Sequence, residues 1–353
     1  MIGSDKYKLS KSGENYYNAL MDHLKGIKYT HIVNPCGEIS IHAKGGYCII
    51  SDLVPYFADT LDEAKEVARA TVRFLIRTNL MNALYSDETK RTNRIGVGLT
   101  AIHEFAWKFF GFGFRDLINE SKSQKFWSFI EALRITSEEE AHWYSKELGV
   151  NVPHTTTTIK PSGSVSKLFA LTEGAHLPAM RYYLRWVQLQ NTDPLLKEYR
   201  RKGYPIRLLN SYPNVSIVGF PTVPLISTLG MGDALVTAPE ATPEEQYVWL
   251  RLLEKYWLGE GNNQISYTLK FDVDKYSLEE FRLYILANQG DVRCCAVMPT
   301  VSQVKQRTLY EYLPEEEVTY KQFASIVYNI NDPEMTQQID METLQCVGGA
   351  CPL

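Results

Sequence analysis

Asn34-Pro35-Cys36-Gly37-Glu38 sets an amide, a thiol and a carboxyl at alternate positions, and a further thiol, Cys48, follows shortly after. In an extended segment, residues i, i+2 and i+4 share one face, so Asn34, Cys36 and Glu38 are expected to converge on one side. The intervening Pro35 and Gly37 present almost no side chain and demand a special backbone path, which predicts an exposed loop tip. A loop tip is a poor place for a core cysteine, so this thiol points to chemistry.

Two other stretches could do chemistry. Pro161-Ser162-Gly163-Ser164-Val165-Ser166 follows a β-branched run and opens a helix, and free backbone N–H groups at such a turn form a ready anion site. It does not match the G-x4-G-K-[ST] phosphate loop, so a nucleoside triphosphatase is not implied. At the chain's end, Cys346 and Cys351 are separated by a spacer containing Gly348-Gly349, which lets a reversible disulfide close easily. The adjacent pair Cys294-Cys295 lies in an apolar run; neighbours rarely pair with each other, and buried thiols are expected there. Cys48 has an equally plain reading as a core thiol at the start of a strand.

The elements that must position these residues follow from periodicity. A short amphipathic helix is expected over 14–25, and a strand over 29–33 leads straight into the Cys36 loop. Thr60 with the early Asp62-Glu63 pair caps a strong helix running to about residue 85. Helices are expected over about 96–110 and 120–148, a strand over 154–160, a helix start over 162–168, and a strand over 182–189. A polar helix from 193, a strand near 215–218, a long connection over 220–241, a helix over 243–258, a strand over 263–271 and a helix over 277–287 complete the pattern. This alternation predicts βα units and a mainly parallel sheet, an α/β fold. No internal repeat of fixed period is visible.

Composition sets the bounds. The 353 residues with 44% hydrophobic content can bury a large core. The 37 basic and 41 acidic residues, a net charge of −4, argue against a protein that neutralises many phosphates along a nucleic acid. No run approaches a membrane span and the N-terminal residues lack the apolar core of a signal peptide, so a cytoplasmic protein without a membrane partner is expected. Six cysteines are too sparse for a disulfide scaffold. No His and Cys spacing suits a metal, and no metal site is expected.

The Asn34, Cys36 and Glu38 pattern, the Pro161–Ser166 turn, Glu173-Gly174-Ala175-His176 with Tyr182-Tyr183, and the Cys346-x4-Cys351 tail occur in an order that resembles the ribonucleotide reductases. The last two stretches are most similar to the adenosylcobalamin-dependent class, especially its ribonucleoside-triphosphate reductases. The resemblance implies the second half of a ten-stranded α/β barrel over 1–331, with 34–38 as its active-site finger loop and 332–353 as a mobile redox tail. It implies radical reduction of a ribonucleotide. Cys36 would be the thiyl radical, Glu38 the base toward the 3′-hydroxyl, Asn34 the residue that holds the sugar hydroxyls, and Pro161 to Ser166 the phosphate turn. Cys48 would be one member of the reducing dithiol, and Cys346 with Cys351 would re-reduce it and be reduced by a thioredoxin-like protein. Adenosylcobalamin would be the radical source; the iron-dependent class, which also uses a tyrosine pair, is the alternative.

The resemblance covers only the second half of a family member. The first barrel strands, with the partner of Cys48, would come from a separate N-terminal fragment. Two readings from other classes stand beside this one, a cobalamin- or nucleotide-binding module without catalysis and a thiol-disulfide carrier using the tail alone. The carrier leaves Asn34 and Glu38 unexplained and lacks C-x-x-C spacing.

Overall fold

The computed structural model of the chain describes residues 31–42, 46–81, 86–301 and 310–331. The helix expected over 14–25 and the tail with Cys346 and Cys351 lie outside the described residues.

The chain is organised by a row of parallel segments. Strands Ile49–Leu53 and Ile95–Leu99 pair parallel with Ile49 opposite Ile95. Val97 then bridges Thr157, and Ile159 bridges Ile265, both in parallel sense. Thr268–Asp272 pairs parallel with Ala296–Thr300. Each segment therefore lies beside the next one in sequence, as βα connections dictate.

Helices cover the row for reasons visible in their sequences. Leu61–Asn79 begins where the Thr60 hydroxyl accepts the Glu63 N–H at 3.1 Å, a cap of about 1 kcal/mol. Its Ala64, Ala68, Val72, Leu75 and Ile76 stripe is fully buried and packs against the long helix Gln124–Leu148. Small residues on that stripe let the two helices approach closely. Trp127, Trp249 and Trp257 fill the space behind the sheet with no exposure, and truncating any one to Ala would cost about 3–5 kcal/mol. No described helix is long and apolar enough to cross a membrane.

The segment expected as one helix over 96–110 is divided. Ile95–Leu99 is a buried strand, Ala101 turns the chain in the left-handed region (φ 58°), and the helix is Ile102–Phe110. The two glycines explain the difference. A Cβ at Gly96 would lie 2.7 Å from Thr158 Cγ2, and one at Gly98 would lie 2.7 Å from the Ser51 carbonyl oxygen. Glycine here serves close strand contact, which outweighs helical spacing.

A second sheet corrects the expectation of a mainly parallel fold. Tyr183–Gln190, Val215–Thr222, Ile206–Leu208 and Glu315–Glu317 form an antiparallel sheet in the order 315–317, 183–190, 215–222, 206–208. Tyr183–Gln190 alternates between buried and partly open positions toward its end, the pattern of a sheet with one covered face. Helix Tyr320–Asn329 supplies the cover through Phe323, and Trp186 Nε1 donates to Glu316 at 2.9 Å. The connection expected over 220–241 continues the strand to Thr222 and then folds into two short turns, Leu225–Thr228 and Gly232–Ala234.

Candidate active site

Asn34–Glu38 is a tight turn joining the short antiparallel strands His31–Val33 and Ser40–His42. The turn is closed by Asn34 itself: its carbonyl accepts the Gly37 N–H at 3.0 Å and its Oδ1 accepts the Ile39 N–H at 3.1 Å. Gly37 takes φ +84°, and a Cβ there would come within 2.6 Å of Cys294 Sγ. The segment is thus a turn and not the extended stretch that would put Asn34, Cys36 and Glu38 on one face. Cys36 is exposed, as a loop tip requires, whereas Glu38 is only 5% exposed.

Glu38 anchors the loop to the middle of the parallel row. Its carbonyl accepts the Gln264 N–H at 2.9 Å and lies 3.1 Å from the Thr158 hydroxyl. Its Oε2 is buried with no hydrogen-bond partner among the described residues. A buried carboxylate oxygen without a donor is costly, and in a native fold it marks a place where a ligand or water belongs.

The other predicted residues lie toward the two edges of the same row. Cys48 immediately precedes strand Ile49–Leu53, at the edge where the strands begin. Burial pushes its thiol up to about 12, the Arg94 guanidinium opposes that shift, and the Glu38 carboxylate adds to it. Pro161–Ser166 lies just past the opposite edge, after the Thr155–Ile159 segment. Ser162 adopts φ 54°, Gly163–Leu168 is a short helix, and the Ser166 N–H donates to the Ser162 carbonyl at 3.0 Å. The hydroxyls of Ser162 and Ser166 are both buried and have no hydrogen-bond partner among the described residues.

Beside this turn, Lys160 pairs with Asp52 at 2.8 Å, the Asp52 side chain being 4% exposed. The Glu173–His176 stretch packs here too. Gly174 has φ +51°, its N–H donates to the Thr100 hydroxyl at 3.3 Å, and a Cβ on it would meet the Lys160 carbonyl oxygen at 2.3 Å. Lys167 reaches Glu173 at 3.1 Å. His176 Nε2 accepts the Thr268 N–H at 3.1 Å and its ring stacks on Tyr267 at 5.0 Å; burial lowers its pKa. Tyr182 and Tyr183 separate: Tyr182 packs on Tyr320 and Phe323, while Tyr183 faces Arg185 and Lys167.

Three contributors were not apparent in the sequence. Cys294, expected as an ordinary core thiol, stands against Gly37, and its pKa is raised by burial and by Glu254 and Glu38. Thr158 and Gln264 hold the loop. The run of four threonines carried a usable signal, because a strand whose hydroxyls are all buried must aim them at partners. Cys346 and Cys351 cannot be placed relative to Cys48, since they lie outside the described residues.

No family model matches the chain. An adenosylcobalamin-dependent ribonucleoside-triphosphate reductase of Lactobacillus acidophilus is 27% identical over 346 residues, 91% of this chain and 45% of that protein. The enzyme of the same name from Lactobacillus leichmannii is 24% identical over 352 residues, again covering 91% of this chain and 45% of its own length. Among solved structures, a B-12 dependent (class II) ribonucleotide reductase superposes with a TM-score of 0.71 at 22% identity, over 91% of this chain and 46% of that one. The alpha subunit of an Actinobacillus ureae class Id ribonucleotide reductase gives 0.51 at 16% identity, over 79% and 55%. The chain is similar to proteins named adenosylcobalamin-dependent ribonucleoside-triphosphate reductase, shares a mixed α/β fold with the class II reductase structure, and spans about half the length of the curated relatives it matches.

Proposed function

We propose that the chain is the catalytic part of a ribonucleotide reductase that converts ribonucleotides to 2′-deoxyribonucleotides by thiyl-radical chemistry, working with a separate chain that carries the N-terminal part of the barrel. One observation carries the reading: Glu38 seats the Cys36 loop on Thr158 and Gln264, between Cys48 at one edge of the parallel row and the Ser162 turn at the other. The row would be half of the ten-stranded barrel. Its last strand, Ala296–Thr300, leaves Val297 and Met298 over 40% exposed, an uncovered strand of the kind a partner element covers.

In this reading Cys36, as a thiyl radical, removes the 3′-hydrogen of the ribose and returns it to C3′ at the end of the turnover, which regenerates the radical. Glu38 accepts the 3′-hydroxyl proton through the carboxylate whose Oε2 has no partner among the described residues, and water leaves from C2′. The Asn34 amide hydrogens hold the sugar hydroxyls, because its Oδ1 already closes the turn. Cys48 and a cysteine of the partner chain supply two electrons and two protons and become a disulfide. Cys346 and Cys351 then reduce that disulfide by exchange and are themselves reduced by a thioredoxin-like protein. The substrate phosphates sit on the Pro161 to Ser166 turn, with the free hydroxyls of Ser162 and Ser166 and the N–H groups of Gly163, Ser164 and Val165 as donors.

The residues fit adenosylcobalamin as the radical source. Cys36 is exposed at the loop tip and open to a bulky group, as direct generation of a thiyl radical requires. Bound there, adenosylcobalamin supplies the one-electron oxidation of the thiol; Cys36 is the residue that would face it.

The test is coexpression with N-terminal reductase fragments, followed by ribonucleotide reduction with dithiothreitol, with and without adenosylcobalamin, alongside Cys36→Ser. Turnover that requires the partner, the cobalamin and Cys36 is the expected result. Turnover only with an iron-containing radical subunit would overturn the cofactor, and no turnover in any combination would overturn the enzyme.

A further inference from the structure

The geometry points to Arg94, set in the wall of a polar cavity beside Cys48, as the residue that stabilises the Cys48 thiolate when an incoming dithiol reduces a disulfide formed there. Ile49 and Ile95 are directly paired in parallel strands. Cys48 and Arg94 each precede their strand by one residue, so they stand side by side at the edge where the strands begin, with side chains on the same face.

The cavity lies along this edge. It encloses about 480 Å³ and is lined by Ser40, Arg94, His154, Asn262, Gln264 and Arg293, among others. Arg293 is committed, donating to the carbonyls of Gly259, Asn262 and Asn263. The Arg94 guanidinium, by contrast, has no hydrogen bond or ion pair among the described residues, although the residue is partly buried. A partly buried guanidinium beside a thiol, with no hydrogen bond or ion pair among the described residues, is placed to stabilise the thiolate.

The proposed reaction gives that placement a use. A dithiol thiolate attacks the disulfide between Cys48 and its partner at the partner's sulfur. A new S–S bond forms there, the old one breaks, and Cys48 departs as a thiolate that then takes up a proton. The second thiol of the dithiol displaces the partner's sulfur and closes its own disulfide. Exchange is faster when the leaving thiolate is stabilised, which is the role assigned to Arg94. Among the described residues, the charged groups acting on Cys48 are Arg94 and Glu38. Those acting on Arg94 are Cys48 itself, with Glu88 and Arg91 from helix Ser86–Thr92. Across the cavity, His154 is held toward its neutral form by burial and by Arg94 and Arg91.

This inference rests on the proposed function only in giving Cys48 a redox task. Its test reads the thiol directly, so it can fail or succeed independently of ribonucleotide turnover. Alkylation of Cys48 by iodoacetamide is followed across pH by peptide mass spectrometry in the full chain, with the exposed Cys36 as internal reference. Arg94→Gln is expected to slow Cys48 labelling about tenfold at a given pH and move its profile to higher pH, one pKa unit being a factor of ten in thiolate. Arg94→Lys should restore the rate to within about twofold, a rescue that loss of packing would not produce, and Cys36 should not change. Superimposed profiles for wild type and Arg94→Gln overturn the assignment. Should Arg94→Gln lose its circular dichroism, Glu88→Gln decides. Removing the Glu88 carboxylate, which pairs with Arg91 and offsets the positive charge at Arg94, should speed Cys48 labelling about twofold, and an unchanged rate overturns the assignment.

Discussion

The Thr158 hydroxyl lies 3.1 Å from the carbonyl oxygen of Glu38 and 2.9 Å from that of Gln264, joining the Cys36 loop to two adjacent segments of the parallel row. Thr158→Val keeps the shape and removes the donor. It should cost about 1 kcal/mol, measured as a shift in denaturant midpoint at unchanged slope. It should also speed amide exchange at Gln264, whose N–H donates to the same carbonyl. Full protection at Gln264 in the variant would show that the loop is held elsewhere.

Ser166 is fully buried and its hydroxyl has no partner among the described residues. If that hydroxyl waits for substrate phosphate, Ser166→Ala should leave thermal stability within about 0.5 kcal/mol of wild type or improve it. In the reconstituted enzyme the same change should raise KM about tenfold, the loss of one charge-assisted hydrogen bond. A destabilised variant with unchanged KM would reduce the serine to a structural role.

His103 is buried against Trp249, ring centroids 5.0 Å apart, and burial lowers its pKa from 6.5 to about 4 despite the opposing His176 carbonyl. The folded state therefore binds fewer protons than the unfolded one between those values. The stabilisation is fully present above 6.5 and is lost as pH falls toward 4, by up to about 3 kcal/mol. The next residue, Glu104, runs the other way: burial raises its pKa, against hydrogen bonds from Thr172, so its contribution is present at low pH and fades as pH rises through the folded value. His103→Phe keeps the ring stack and removes one of the two titrations. Its melting temperature should fall less than that of wild type over this acid range, and equal slopes would assign the acid loss to other groups.

Much of this architecture was legible because short-range rules and long-range packing agree. Thr60 with Asp62 and Glu63 marks the start of helix Leu61–Asn79, and Ser277 with Glu280 marks the start of Leu278–Asn288 in the same way. The agreement fails where a neighbour distant in sequence decides. Gly96 and Gly98 are strand residues because Thr158 and Ser51 leave no room for a Cβ. Cys294 meets Gly37 across more than 250 residues, and no local pattern marks that contact. The exposed Cys36 followed from its Pro-Gly setting. The burial of Glu38 did not, because it depends on the turn that Asn34 closes with its own side chain.

Trp257 lies in the π-helical turn Glu254–Leu258, fully buried, and its indole N–H donates to the Thr158 carbonyl at 2.8 Å while the Thr157 hydroxyl donates to its own carbonyl at 2.9 Å. The threonine whose hydroxyl meets the Cys36 loop therefore also sets the polarity around a buried indole. Loop seating has an optical signature in consequence: the emission of Trp257, isolated by replacing the other tryptophans, reads the position of the Cys36 loop.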